Sequence, residues 1–408
     1  MTASMSPAYT LRSGDTWRDP FGMYASLREH DPVHRVTPND DADADFWVLT
    51  RHADVLAAAK DWQTFSSAGG LTVTYGELQA IGLSDNPPLV MQDPPVHTEF
   101  RKLVSRGFTP RQVASVEPLV REFVVERIER LRSAGGGDIA TELFKPLPSL
   151  VVAHYLGVPE ADRDRFDGWT DAIVGADPTA GMNAAATSAS GAVLELAAYF
   201  SELIDYRRAH PGDDTVSHLV AAGVADDPEA DPSGLLSVLA FAFTMVAGGN
   251  DTTTGMLGGS AALLTTDRDQ RRLLQSDLGN LPSAVNELLR LTSPVQGLAR
   301  TTTRDVEYDD ATIPAGCKVL LCYASANRDE RVFGADSEQL DVHRDPTGIL
   351  TFSHGSHHCL GAAAARLQAR IVLEELLTRC PEFEVDVDGI EWARGNYVRR
   401  PVSVPFTA

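Results

Sequence analysis

Four cysteines in 408 residues are too few and too scattered to frame the chain with disulfides. Cys317, Cys322 and Cys380 are expected to be structural, which leaves Cys359 as the one cysteine with chemical surroundings. Basic residues are also scarce. Thirty-five Lys and Arg face 57 Asp and Glu, a formal charge of −22, which argues against nucleic acid or an anionic membrane as the main partner. The acid runs Asp40–Asp45 and Asp226–Asp231 read as solvated loops. No signal peptide is evident in Met1–Trp17 and no apolar run of about 18 residues stands out, so the expectation is a cytoplasmic, reduced protein without a membrane span. No internal repeat, flavin motif or iron–sulfur motif is found.

What is present is helix. Hydrophobic residues make up 43% of the chain, and length alone predicts two or three domains. Helices are expected at Pro20–Glu29, Arg51–Ala59, Val116–Ser133, Pro148–Leu156, Ala161–Val174, Val193–His210 and Asp214–Ala222. Val33–Val36 and Phe46–Leu49 read as edge strands, and a β-rich stretch follows Arg300. Residues 67–91 form a Gly/Pro/Asn-punctuated loop that carries Leu71, Tyr75, Leu78 and Met91, apolar enough to be a binding wall. Gly175–Gly191, rich in small residues, reads as a mobile lid.

Asp231-Pro232 opens a helix of about 33 residues, roughly 50 Å at the standard rise. Its centre reads Ala247-Gly248-Gly249-Asn250-Asp251-Thr252-Thr253-Thr254-Gly255. Adjacent glycines cost about 1 kcal/mol each in a helix, and rules broken in mid-element are expected at functional positions. Gly248 admits a flat ligand, and Asp251 with Thr252 can relay protons. In the next helix Glu287 and Arg290 pair at i, i+3. Upstream, a helix from Pro95 would put His97 and Arg101 on one face, where they could grip a carboxylate.

The remaining signal is Phe352-Ser353-His354-Gly355-Ser356-His357-His358-Cys359-Leu360-Gly361. A thiol before a helix start is favoured as thiolate by free N–H groups and the helix dipole. Three readings stand at this point: a zinc site using the neighbouring histidines, a buried core cysteine, or a haem held through Cys thiolate.

Taken together, Phe352-x-x-Gly355-x-His357-x-Cys359-x-Gly361, Gly248-Gly249-x-Asp251-Thr252-Thr253, Glu287-x-x-Arg290 and Asp93-Pro94-Pro95-x-His97-x-x-x-Arg101 resemble the cytochrome P-450 haem-thiolate monooxygenases in their soluble bacterial form. The stretches Met91–Arg111 and Ser353–Ala365 are most similar to the mycobacterial group numbered family 130. The resemblance implies one mainly α catalytic domain over residues 1–408, with a smaller β-rich part, in place of the domain count suggested by length.

It also implies haem b, with Cys359 as the axial iron ligand. His97, Arg101, Gly248, Arg300, Phe352, His357 and Gly361 would bind the cofactor, the His and Arg residues through its propionates. Asp251 and Thr252 would be the catalytic acid–alcohol pair, and Glu287 with Arg290 would lock the core. Tyr75, Leu78, Phe243, Ala247, Val295, Leu298 and Val398 would wall a pocket for a small-to-medium apolar substrate. O2 would be the co-substrate, and a ferredoxin with an NAD(P)H-dependent reductase would supply electrons, docking near Lys102, Arg106, Arg366 and Arg370. Two departures stand out. Ser353 replaces the glycine common after the loop aromatic, and Gln339 occupies the stretch where an arginine often joins the Glu–Arg pair. A peroxide-driven peroxygenase and a non-catalytic haem carrier or sensor are the rival functions.

Overall fold

The computed structural model describes residues 8–38, 44–80, 83–163, 165–166, 168–169, 182–224, 232–309 and 311–408. Helices dominate: α1 (Phe21–His30), α2 (His52–Lys60), α3 (Val96–Val104), α4 (Glu117–Ala134), α5 (Pro146–Leu156), α6 (Met182–Ala209), α7 (Thr215–Ala221), α8 (Pro232–Thr266), α9 (Arg268–Ser276), α10 (Leu281–Thr292) and α11 (Ala362–Arg379). The ends follow local chemistry. Gly135 and Gly157 cap α4 and α5 in the left-handed conformation, and Asp214 caps α7 by accepting from Ser217 N–H.

The organising element is α8, 35 residues long and continuous through its glycines. It packs against α5, α10 and α11, and those helices share an apolar core with α4. Glycine sets how closely its neighbours approach. A Cβ on Gly249 would lie 2.8 Å from Val152 of α5, and one on Gly255 would lie 2.6 Å from the Arg399 carbonyl. Residues Gly234–Thr266 are long and apolar enough by composition to cross a membrane, a stretch the run-length expectation overlooked. In this structure it packs against α5, α10 and α11.

A five-stranded sheet adjoins the helices. Its strands are β1 (Val33–Val36), β2 (Phe46–Leu49), β3 (Phe65–Ser66), β4 (Leu298–Thr302) and β5 (Lys318–Leu321), in the order β1-β2-β5-β4-β3. Only β1 of the first pair is an edge strand. β2 pairs with β1 and, in parallel, with β5, so Phe46, Val48 and Leu49 are buried. A continuous apolar run marks a strand covered on both faces. The C-terminal segment adds β6 (Glu391–Trp392) and β7 (Pro401–Ser403), which pair with each other.

Three other expectations change. Asp45 is buried rather than solvated, because Arg35 donates to its carboxylate from Nε at 2.6 Å. The helix expected from Val193 begins at Met182, since alanine-rich sequence needs no apolar stripe to be helical. That takes in residues 182–191 of the expected lid, and residues 175–181 of it lie outside the described ones. Ala161–Val174 is helical at 163, 165–166 and 168–169.

Candidate active site

The Cys359 loop is closed by its own backbone. Cys359 N–H donates to Phe352 O at 2.9 Å, and His358 N–H to Gly355 O at 3.2 Å. Gly355 has φ +69°, and a Cβ there would lie 2.7 Å from the Ala59 carbonyl at the end of α2. Ser353 also sits at positive φ, 56°, a conformation costly for residues other than glycine. Its hydroxyl lies 3.1 Å from Tyr323 Oη, so the turn keeps a glycine-like shape with serine in place.

Cys359 retains an exposed surface. The surrounding protein nonetheless pushes its thiol pKa up, while the Gly361 N–H and the cations of Arg101 and Arg366 pull it down. Those three would support a thiolate bound to a metal. Among the described residues no group of three or more His, Cys, Asp or Glu side chains is placed to hold a metal ion, so the zinc reading has no ligand set.

Next to this loop, which carries His357, α3 brings in His97 and Arg101 and β4 brings in Arg300. The rings of His97 and His357 lie 4.2 Å apart, centroid to centroid. Ser67 Oγ is 3.1 Å from His357 Nε2. Arg101 donates to the His358 carbonyl, and Arg300, buried on β4, to the Ala299 carbonyl at 2.8 Å. Burial first, then the Arg101 cation, lowers the His97 pKa to about 4. Burial, then Arg300, His97 and Arg101, lowers that of His357 to about 3. His97 is 1% exposed, yet its Nδ1 has no hydrogen-bond partner among the described residues, and neither do Thr301 Oγ1 and Ser356 Oγ. Two guanidiniums, two imidazoles and an orphaned ring nitrogen fit a ligand bearing carboxylates. Haem, with two propionates, is such a ligand.

On α8, Ala247 and Gly248 are exposed and Asp251 and Thr252 half-buried, whereas the following residues 253–261 are buried. A Cβ on Gly248 would meet nothing within 4 Å. Thr252 Oγ1 donates to the Gly248 carbonyl at 2.8 Å, as helical Thr commonly does. Asp251 pairs with Arg400, Oδ2 to Nε 2.8 Å, a partner the sequence reading missed. Leu360, beside Cys359, packs into the same apolar cluster as Phe243 and Val246 of α8, which draws the cysteine loop toward this helix.

The core lock is larger than expected. Arg290 donates twice to Glu287 at 2.7 Å, both residues fully buried. Arg344 adds a third member, 3.1 Å from Glu287 Oε1. The expected gap at Gln339 is therefore filled from five residues downstream, and Gln339 contributes only its carbonyl, to Arg290.

The expected substrate wall is dispersed. Tyr75 is 41% exposed, and its hydroxyl donates to Asp45 O and accepts from Lys318 N–H, tying it to the sheet. Leu78 is buried. Phe243 packs in the cluster around α6 and α8, whereas Val295 and Leu298 pack on the sheet's own cluster. Val398 bridges Val295. A cavity of about 410 Å³ instead lies between residues 85–96, Phe100 of α3, and Ser237 and Ala240 of α8. Sequence marked residues 67–91 as a wall, but a loop without periodicity does not say which side chains face inward.

The expected basic patch is also divided. Lys102 and Arg106 are exposed. Arg366 stacks over Phe352 and donates to Asn286, and Arg370 is engaged by Glu117 and Glu374.

The family profile described as Cytochrome P450 matches residues 263–391. Over its full length the chain is similar to Cytochrome P450 130 of Mycobacterium tuberculosis, 66% identical over 406 residues that cover 100% of this chain and 99% of the relative. It is 34% identical to the Vitamin D(3) 25-hydroxylase of Pseudonocardia autotrophica, covering 100% of this chain and 98% of that one. Among solved structures, the Mycobacterium marinum cytochrome P450 CYP268A2 in complex with pseudoionone superposes with a TM-score of 0.84 at 33% identity, covering 100% of both chains.

Proposed function

The chain belongs to the cytochrome P450 family of monooxygenases, and we propose that as one catalytic domain it binds haem b through Cys359 and oxidises a small-to-medium apolar organic molecule. One atom of O2 enters a C–H bond and the other leaves as water, at the cost of two electrons and two protons. Bound haem supplies the oxygen activation. The chain supplies ligation, orientation and protons.

In this reading the Cys359 sulfur is the iron ligand, held by the closed loop and favoured as thiolate by Gly361 N–H, Arg101 and Arg366. His97, Arg101, Arg300 and His357 take the propionates. Phe352 and Gly361 shape the loop, and Gly248 leaves space beside the ring. Thr252 and Asp251, on α8, would handle protons for the bound group. The substrate sits under the 85–96 segment, against Phe100, Leu89 and Met91. A ferredoxin with its NAD(P)H-dependent reductase supplies electrons in the cytoplasm, approaching the exposed Lys102 and Arg106.

The observation that carries the reading is the gathering, at the Cys359 loop, of two cations and two neutral imidazoles, the buried His97 with an orphaned nitrogen and the half-buried His357. The reduced, CO-bound protein is expected to show the red-shifted Soret band of thiolate ligation. A band typical of histidine ligation, or failure to bind haem, would sink it.

A further inference from the structure

The proton-handling acid on α8 is held by a residue from the far end of the chain. Arg400 Nε lies 2.8 Å from Asp251 Oδ2, with side-chain exposures of 11% and 21%. The segment bearing Arg400 is built to lie against α8. Gly255, one turn beyond Asp251, leaves room for the Arg399 carbonyl, and a Cβ on Gly258 would meet the Pro401 ring at 2.5 Å. The segment is fixed in turn by Arg399 N–H on Pro294 O at 2.8 Å and by Ala393 N–H on Arg400 O at 3.0 Å. Two residues before Arg400, Val398 bridges Val295, three residues ahead of the strand that carries Arg300. A short chain of fixed backbone therefore links the propionate-binding strand to the acid on α8.

From this geometry we infer that Arg400 is a positioning residue for Asp251, holding the carboxylate on the α8 face that carries Gly255 and Gly258, next round the helix from Thr252, and having to loosen when Asp251 Oδ2 passes a proton. The inference rests on the haem-thiolate reading for the chemistry but not for the ion pair. A carboxylate oxygen engaged by a guanidinium 2.8 Å away cannot carry a proton without loosening that contact. The link makes the opening of the pair dependent on the 398–401 segment. A partly buried pair on two rigid elements is also a contact whose loss is felt, unlike a solvated surface pair.

The test uses Arg400→Gln, Arg400→Lys, Asp251→Asn and the double variant Asp251→Asn/Arg400→Gln, all in the full-length chain. The first readout is thermal melting of the haem-free protein, which does not depend on turnover. Arg400→Gln should lower Tm in the wild-type background and have little further effect with Asp251→Asn present. Full additivity would overturn the pairing. The second readout is substrate-free NADPH oxidation driven by spinach ferredoxin and its reductase, in H2O and D2O. Arg400→Gln should change the solvent isotope effect at least twofold, and Arg400→Lys should restore most of the wild-type value. An isotope effect unchanged in Arg400→Gln would overturn the positioning role even if melting shows the pair. If the wild-type protein lacks the thiolate Soret band, the haem reading fails and the proton role with it, while the melting cycle still decides whether Arg400 and Asp251 are coupled.

Discussion

The imidazoles of His97 and His357, from α3 and the Cys359 loop, lie 4.2 Å apart, and both are kept neutral by burial and arginines. This has a consequence for stability. An unfolded histidine takes up its proton near the ordinary value of 6.5, whereas these two do so only at about 4 and about 3. Below pH 6.5 the unfolded chain therefore binds more protons, and stability falls as pH falls. The loss approaches 1.4 kcal/mol per pH unit for each fully neutral histidine, through the window from 6.5 down to the folded values. Urea denaturation of the haem-free protein at pH 7.5 and pH 5 should show this slope, and His97→Asn with His357→Asn should flatten it. Propionates would favour protonated imidazoles, so haem loading should flatten it too.

Glu287 answers two arginines at once, Arg290 bidentately at 2.7 Å and Arg344 at 3.1 Å. Arg290 also donates to the carbonyls of Asn327 and Ser337, so the pair ties α10 to the segment leading into the cysteine loop. Removing one partner from a buried pair typically costs about 3–5 kcal/mol, because the other charge is stranded. Glu287→Ala should lose most folded protein, or fold with poor haem retention. Arg344→Gln, at a residue partly exposed, should cost less than half as much in the same denaturation assay.

How much of this was readable in advance depends on whether a residue's role is local. The i, i+3 pair Glu287–Arg290, the His97/Arg101 face and the Phe352–Gly361 loop are set by spacing along the chain, and the structure assembles each as spaced. Arg344 and Arg400 were missed because their partners lie 57 and 149 positions away, beyond any periodicity. Gly249 and Gly255 lie in the stretch taken as strain at a functional centre, and Gly258 just beyond it drew no reading. They are points where Val152, Arg399 and Pro401 press against α8, and a composition rule cannot separate the two. Tyr75 was misplaced because loop residues lack a face until the sheet beneath them is known.

Gly355 is required for a reason a motif alone does not give. Its φ of +69° and the Ala59 carbonyl 2.7 Å from any Cβ act together, and the obstacle is backbone of α2, which cannot rotate away. Strain at a special φ and local overpacking each cost on the order of 1–3 kcal/mol. Gly355→Ala should therefore lower Tm and haem occupancy, read from the Soret-to-280 nm absorbance ratio. Gly248→Ala, where a Cβ meets nothing within 4 Å, should leave Tm unchanged or raise it slightly, since alanine is the better helix former. Equal losses in both variants would contradict this account of the loop.

Thr252 makes the sharpest case, because its hydroxyl has one proton and that proton is already placed. Oγ1 donates to the Gly248 carbonyl at 2.8 Å, which leaves only its lone pairs for the site. In the proposed haem-thiolate reading Thr252 would therefore serve as a hydrogen-bond acceptor rather than a donor, and Asp251 would be left as the proton source. Thr252→Ser keeps that acceptor and should keep most coupling. Thr252→Ala removes it, and positioned proton handling is typically worth about 10²–10⁴-fold. Product per NADPH should fall at least tenfold and peroxide rise, while NADPH consumption continues. The fold is not the cause in such a variant, since alanine suits a helix better than threonine and the lost bond is local to one turn. Unaltered product per NADPH in Thr252→Ala, with the thiolate Soret band intact, would remove Thr252 from the mechanism.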